Sequence, residues 1–454
     1  MPPPALADKT TAGERPDSSH FIRAVTDMAD HTSVVTGGAI YTDKGVKLVD
    51  KGVRIDSRLY DRLVLHRLRD PIDSELIVED LVDAKVLAEQ ARAKCTSIDL
   101  MRRLAQAVGG VDKLLAPLYA VKLTRQVAFK LTVMQQQRPE LYSHDLQMTL
   151  VAIYLGLQSG LSEQDCASAA AAGLLHDVGM LFIDPVWMNP AYQLSDMERR
   201  HFSAHPITAM LVVRSAQAYP ESVERAVLEH HECMDGSGYP RGVRGEHISP
   251  LGQVLIVAEV VSAFFGKFQD MPSQRLSLML RMNHRRYPEH LVRLILPLLY
   301  DELTPGIPLL PLQEEVVHNV AALSAAFALW ETLREQLPEH WGLLPEGPPG
   351  IFVDERLAAL RRQLADVGAG PGQHDDLMAL LQSDLPSMTE FVLVNREALW
   401  QLRSVVHACL HRWPKLGQTE NVVDRAVFAW CEACAPLQPS PEATSDAEPA
   451  PARV

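Results

Sequence analysis

Between residues 176 and 242 this chain gathers imidazole and carboxylate groups densely enough to dictate what must be folded around them. A His-Asp doublet stands in LLHDVGM (His176, Asp177), His205 follows, and the block HHECMDGSGYPRG begins at His230. Such a recurrence points to a metal cluster. Neutral imidazole nitrogen combined with carboxylate oxygen suits iron, manganese or nickel better than calcium or magnesium. Structural zinc would more typically recruit thiolates, and the cysteines mostly lie elsewhere.

The two doublets constrain the geometry. Neighbours on a helix point about 100° apart, so His230 and His231 are not expected to share one ion easily, nor are His176 and Asp177. Each doublet would instead serve adjacent ions, with the two oxygens of Asp177 suited to bridge them. Paired metals about 3.5–4 Å apart favour in-line attack on phosphorus. The chemistry implied is phosphoester hydrolysis.

With these blocks in this order, the segment resembles an HD-GYP domain, the branch of the HD metal-dependent phosphohydrolases that hydrolyses cyclic di-GMP in bacteria. HD is His176-Asp177 and GYP is Gly238-Tyr239-Pro240. On this resemblance the upstream ligand helix is PELYSHDLQMTLVAIYLGL, where Glu140 and His144 share a face at i,i+4. His205, in FSAHPITAM, falls on a ligand histidine, and Glu259, in LGQVLIVAEVVSAF, falls on a ligand aspartate. The resemblance thus implies two or three transition-metal ions held by Glu140, His144, His176, Asp177, His205, His230, His231 and Glu259, with His176 and Asp177 at the catalytic centre. Gly236 and Gly238 permit the tight turn of the GYP loop, which would border the pocket mouth. Tyr239 is then expected either near a base or packed inward, Arg241 near a phosphate or a partner, and Lys267 near the substrate.

Three departures bear on activity. The family's HD-x-G-K lysine, expected beside the substrate phosphate, is Met180 here. Its D-x-x-D-A stretch reads Glu259-Val260-Val261-Ser262-Ala263, so the second acid has become a hydroxyl. The following arginine and aromatic have no match in FFGKFQDMPSQR, where Lys267 or Arg275 is the available replacement. The leading expectation is a cyclic di-GMP phosphodiesterase weakened by these losses. The alternative is a degenerate module that binds nucleotide, or that signals through partners such as GGDEF-type cyclases, with which family GYP loops are associated.

Composition is consistent with a bacterial signalling protein. The 454 residues suffice for two or three domains. A net charge of -14 argues against a nucleic-acid polymer or an anionic membrane as partner, since both need a basic surface. The apolar stretch near Leu255 is interrupted by Glu259, and MPPPALADKT has no hydrophobic signal region, so no membrane span and a cytoplasmic location are expected. The six cysteines should be mostly reduced thiols. A homodimer is compatible with all of this.

The fold class expected is mainly α: an HD-type helical bundle core, a small N-terminal β-containing module and an extra C-terminal helical region. Residues 1–30 are expected to be flexible, 31–119 to form the α+β module and a helical connector, 120–305 the HD-GYP domain, 306–436 the C-terminal helical region and 437–454 a disordered tail. AIYTDKGVKLVDKGVRI predicts a β-hairpin, with Asp56-Ser57 capping the next helix. ELIVEDLVDAKVLAEQARA and SIDLMRRLAQAV carry helical periodicity, and Thr-Pro-Gly-Ile-Pro after Leu303 predicts a boundary. Cys431 and Cys434, with Cys409, His407 and His411 nearby, read as an apolar helical face in preference to a second metal or redox site.

Overall fold

A computed structural model describes residues 18–189, 192, 194–267, 272–299, 309–367, 369 and 385–435. Contacts divide the chain into two units, Met1–Gly266 and Lys267–Val454.

In the first unit, Ser18 caps helix α1 (Ser19–Ala29) by accepting from the Phe21 amide at 3.2 Å. Phe21, Ile22, Val25 and Met28 are buried on it. The expectation of flexibility up to residue 30 is corrected at this point, because an apolar helix face has found a core; residues 1–17 lie outside the described part. Strand β1 (Val34–Thr36) precedes the expected hairpin of β2 (Ile40–Tyr41) and β3 (Lys47–Val49), whose turn uses Gly45 at φ +79°. Asp56 accepts from the Arg58 amide, as anticipated, ahead of α2 (Tyr60–Val64). After α3 (Ile72–Glu75) comes β4 (Leu76–Val78), antiparallel to β1. Helical periodicity missed this strand. Leu76 and Val78 face inward and Ile77 outward, and helix resumes only where Asp83 caps α4 (Ala84–Ser97).

Helices α5 (Asp99–Ala107), α6 (Val111–Tyr119), α7 (Arg125–Gln137), α8 (Pro139–Gln158) and α9 (Glu163–Leu175) follow. Helix α8 is central: α4, α5, α6, α7 and α9 all pack on it, and every residue from Asp145 to Gly156 is buried. A Cβ on Gly173 would stand 2.9 Å from Thr149 Cα, so glycine permits the close approach of α9 to α8. The N-terminal module joins this bundle through Phe21, stacked on Phe182 at 4.9 Å, and through the buried ion pair of Asp73 with Lys130. Complete burial of a side chain such as Phe21 contributes about 1.5–3 kcal/mol. Helices α10 (Asp196–Phe202), α11 (His205–Ser215), α12 (Glu221–Glu229) and α13 (Pro250–Lys267) complete the unit.

The second unit contains α14 (Pro272–Met282), α15 (Glu289–Ile295), α16 (Leu309–Glu335), α17 (Pro348–Asp366), α18 (Leu385–Arg412) and α19 (Val422–Cys434). Helices α14 and α15, expected inside the 120–305 domain, group with these helices instead. The predicted Thr-Pro-Gly-Ile-Pro boundary and the tail from 437 lie outside the described residues. Within α16, Glu315–Glu335 is long and apolar enough to cross a membrane by length and composition, which the stretch around Leu255 is not. Its Val316, Leu323, Phe327 and Trp330 are buried in a core with Trp430, whose indole N–H donates to the Ala326 carbonyl at 3.0 Å.

Candidate metal centre

Both ligand doublets stand where a helix stops. Helix α9 ends at Leu175, and Asp177 leaves the helical conformation at φ -104°, ψ 10°. Helix α12 ends at Glu229, immediately before His230. The 100° rule for helix neighbours therefore fails at these positions, and adjacent side chains converge. His176 Nε2 lies 3.6 Å from Asp177 Oδ2, and the rings of His230 and His231 have centroids 4.1 Å apart. The expectation that the members of a doublet must serve different ions is corrected accordingly.

Two overlapping groups result. Asp177, His205, His230 and His231 form one; His144, Asp145, His176 and Asp177 form the other; in each, the ligand atoms lie within 4.8 Å of one another. Asp177 belongs to both, as a bridging carboxylate must. Glu259 joins the second group from α13, 2.9 Å from His144 Nε2 and 3.5 Å from His176 Nε2. Gly179 makes the first group possible, since a Cβ there would come within 2.3 Å of the His205 carbonyl and push α11 away. Glu140 does not join. It is exposed in the first turn of α8 and belongs to neither group, because sharing a helical face with His144 does not bring a residue one turn nearer the helix end to the same depth.

Tautomers are set by the backbone. Nδ1 of His176 contacts the Gly173 carbonyl at 2.9 Å, that of His205 the Phe202 carbonyl at 2.8 Å, and that of His230 the Val227 carbonyl at 2.6 Å. Each partner lies three residues upstream, in the turn the histidine terminates. A carbonyl only accepts, so each Nδ1 carries the proton and each Nε2 turns a lone pair toward the cluster. His205 Nε2 then faces His230 Nε2 at 3.3 Å and Asp177 Oδ1 at 3.1 Å. Lone pairs opposed at such distances repel unless a cation lies between them. Asp177 Oδ1, His176 Nε2 and both carboxylate oxygens of Asp145 are buried without a well-formed hydrogen bond. Unsatisfied buried polar atoms each cost about 1–3 kcal/mol, and here they cluster at one place. The donor set fits divalent metal ions.

Protonation follows the same pattern. Burial holds His230 well below its ordinary range, and burial brings His231 to about 3, so both are neutral imidazoles. Burial lowers His176 as well, against the pull of Asp177 and Glu259. For Asp177, burial opposes charging, but the positive charge that His176, His205 or His230 carries when protonated outweighs it and holds the carboxyl well below the usual range. Burial likewise disfavours a charged His144, and the Glu259 carboxylate reverses that.

The GYP loop closes over one side of the cluster. Tyr239 stacks on His231, with centroids 4.7 Å apart at 25°, and its amide donates to the His231 carbonyl at 3.1 Å. A Cβ on Gly238 would meet three backbone atoms of residues 231–233 at 2.4 Å, so only glycine allows this fold-back. Two buried acids flanking the His doublet hold the loop in place, and sequence reasoning missed both. Glu232 accepts from the amides of Arg241 (2.8 Å) and Val243 (3.1 Å). Glu229 accepts from Arg225, Arg241 and Ser249. Their signal was position alone, next to His230 and His231. Arg241, expected at a phosphate or a partner, is paired with Glu229 at 2.7 Å. Met180 is buried in the 3-10 turn Val178–Phe182, and Ser262 donates to the Ala258 carbonyl at 2.8 Å. The side chain of Lys267 lies outside the described residues.

Residues 130–291 match the HD domain family. Among curated relatives, the chain is 28% identical over 188 residues to the cyclic di-GMP phosphodiesterase PA4108 of Pseudomonas aeruginosa, covering 41% of this chain and 45% of that protein. It is 30% identical over 195 residues to the cyclic di-GMP phosphodiesterase response regulator RpfG of Xanthomonas campestris, covering 41% and 51%. It is 31% identical over 116 residues to the 3'3'-cGAMP-specific phosphodiesterase 3 of Vibrio cholerae, covering 25% of each. The aligned segments span about half of those proteins or less.

Proposed function

We propose that this chain, an HD-GYP domain protein, is a metal-dependent phosphodiesterase that hydrolyses cyclic di-GMP. The observation that carries the reading is the facing of histidine Nε2 lone pairs and the Asp177 carboxylate across the cluster, at 3.1–3.7 Å. The cluster would hold two or three ions, with iron, manganese or nickel suited to nitrogen and carboxylate donors. His205, His230 and His231 would hold one ion, His144, His176 and Glu259 another, and Asp177 would bridge them. Bound ions supply Lewis-acid polarisation of the phosphoryl oxygens and an acidified water for in-line attack.

The chain's own residues orient that chemistry. The backbone carbonyls behind His176, His205 and His230 keep each ring from turning, and Asp177 stays ionised at the centre. Tyr239 walls the His231 side and offers a flat aromatic surface against which a base packs. Phosphate binding is where the site is weakest, because Met180 is apolar and Arg241 is tied to Glu229. One lost contact of this kind costs about 2.7–4 kcal/mol in a preorganised site, so slow turnover is expected. That weakness supports the second reading, a module that binds cyclic dinucleotide and signals through a GGDEF-domain partner. A turnover assay with cyclic di-GMP on the metal-loaded chain under reducing conditions, run beside equilibrium binding, separates the two. Release of linear dinucleotide or of GMP means the enzyme; binding without product means the receptor.

A further inference from the structure

We propose that Asp145 is a ligand of the metal position formed by His144, His176 and Asp177, an extra carboxylate taking the place in the cluster that Glu140 does not reach. The inference rests on the metal-dependent reading above and adds a residue to it. Asp145 is completely buried in the middle of α8, and neither carboxylate oxygen has a hydrogen-bond partner. Its Oδ1 stands 3.9 Å from His176 Nδ1, whose proton is already given to the Gly173 carbonyl. The carboxylate therefore has no protein donor to satisfy it. What it does have is proximity: it offers an oxygen within 4.8 Å of ligand atoms of His144, His176 and Asp177. That spacing is short enough for one ion despite the 100° step between neighbours on α8.

The alternatives available to such a group are physically poor. A bare carboxylate in an apolar interior is strongly disfavoured, and Asp177 and Glu259 add like charge close by. A divalent cation removes both difficulties, accepting the orphaned oxygen and compensating the three acids together. Glu140, by contrast, is solvated at the start of the helix and needs no ion.

The test is metal binding by the 454-residue chain, stripped with a chelator and titrated with Mn(II), then with Co(II) for its ligand-sensitive absorption. Asp145→Asn, close to isosteric, is expected to bind one ion fewer per chain than the unaltered protein, while Glu140→Gln binds the same number. The metal-free D145N chain should melt no lower than the metal-free parent, so the lost ion is not a lost fold. Should D145N fail to fold, the smaller Asp145→Ser repeats the measurement. An unchanged number of ions with an unchanged Co(II) spectrum overturns the assignment. So does an unchanged number with weaker affinity and the same spectrum, since the carboxylate would then act through His176 without touching the ion. Both results leave the metal-dependent reading standing; it falls instead if the unaltered chain takes up no Mn(II) or Co(II), and the assignment falls with it.

Discussion

The histidines and acids around Asp177 and the thiols of Cys409, Cys431 and Cys434 are both buried sets of metal-ligating side-chain types, and they differ in what burial has left unsatisfied. Around Asp177, lone pairs face one another and carboxylate oxygens lack donors. In the second unit, the thiols sit in an apolar core beside Trp430. A hydrogen bond with Cys409, together with burial, pushes the Cys431 thiol far up, and burial takes Cys434 to about 11. A protonated thiol is a small hydrophobe, and a thiolate is what binds metal. Among the described residues these thiols do not bring three ligand atoms together. Residue type is thus a poor guide to a metal site; uncompensated polar atoms converging on one point are a better one.

The most damaging way to attack this contrast is to remove the bridging centre. His176→Ala combined with Asp177→Ala should abolish both metal uptake and cyclic di-GMP turnover, whereas Cys431→Ser changes neither; elemental analysis and a turnover assay decide it. Metal loss in the cysteine variant would mean the contrast is drawn in the wrong place. Chelation alone should expose the same asymmetry. Ions present at a hundredfold over their dissociation constant stabilise by about 2.7 kcal/mol, so a calorimetric scan of the stripped chain should show the first unit melting earlier and the second unmoved.

A smaller effect is expected from the loop acids. Glu232→Gln can accept from only one of the two amides that Glu232 now serves and turns an NH2 toward the other. The loss is about 1–3 kcal/mol. It should appear as a higher KM with metal content intact, because Tyr239 loses its anchored loop; Glu232→Asp, which keeps two acceptors, should recover part of it. Lost metal with unchanged KM would show that Glu232 acts on the cluster directly. The gentlest test is Met180→Lys, which restores a cation near the phosphate and raises turnover or affinity about tenfold for each 1.4 kcal/mol regained. A metal-loaded Met180→Lys chain with neither binding nor turnover, beside an inactive parent, would remove the enzyme reading.

How much of this was legible in residues alone varied by element. The hairpin around Gly45 followed from alternation and turn chemistry, and motif order picked out His144, His176, Asp177, His205, His230, His231 and Glu259, which the fold brings close together. Strand β4 did not, since Leu76-Ile77-Val78 is equally at home in a helix until β1 lies beside it. Glu140 and Asp145 show the limit most clearly. Both are acids on α8 near His144, and periodicity assigns each a face without saying what covers that face.

By itself the sequence determined the inventory: which side chains are of metal-ligating type, how they are spaced, and that the lysine position is apolar at Met180. Only the tertiary structure decided which of them meet. It ended α9 and α12 at the doublets so that neighbours converge, placed backbone carbonyls behind three histidines, brought α9 against α8 where Gly173 meets Thr149, and turned Arg241 away to Glu229. The physical reason is that ligand identity is local, whereas depth, desolvation and the absence of a competing hydrogen bond depend on residues far away in the chain.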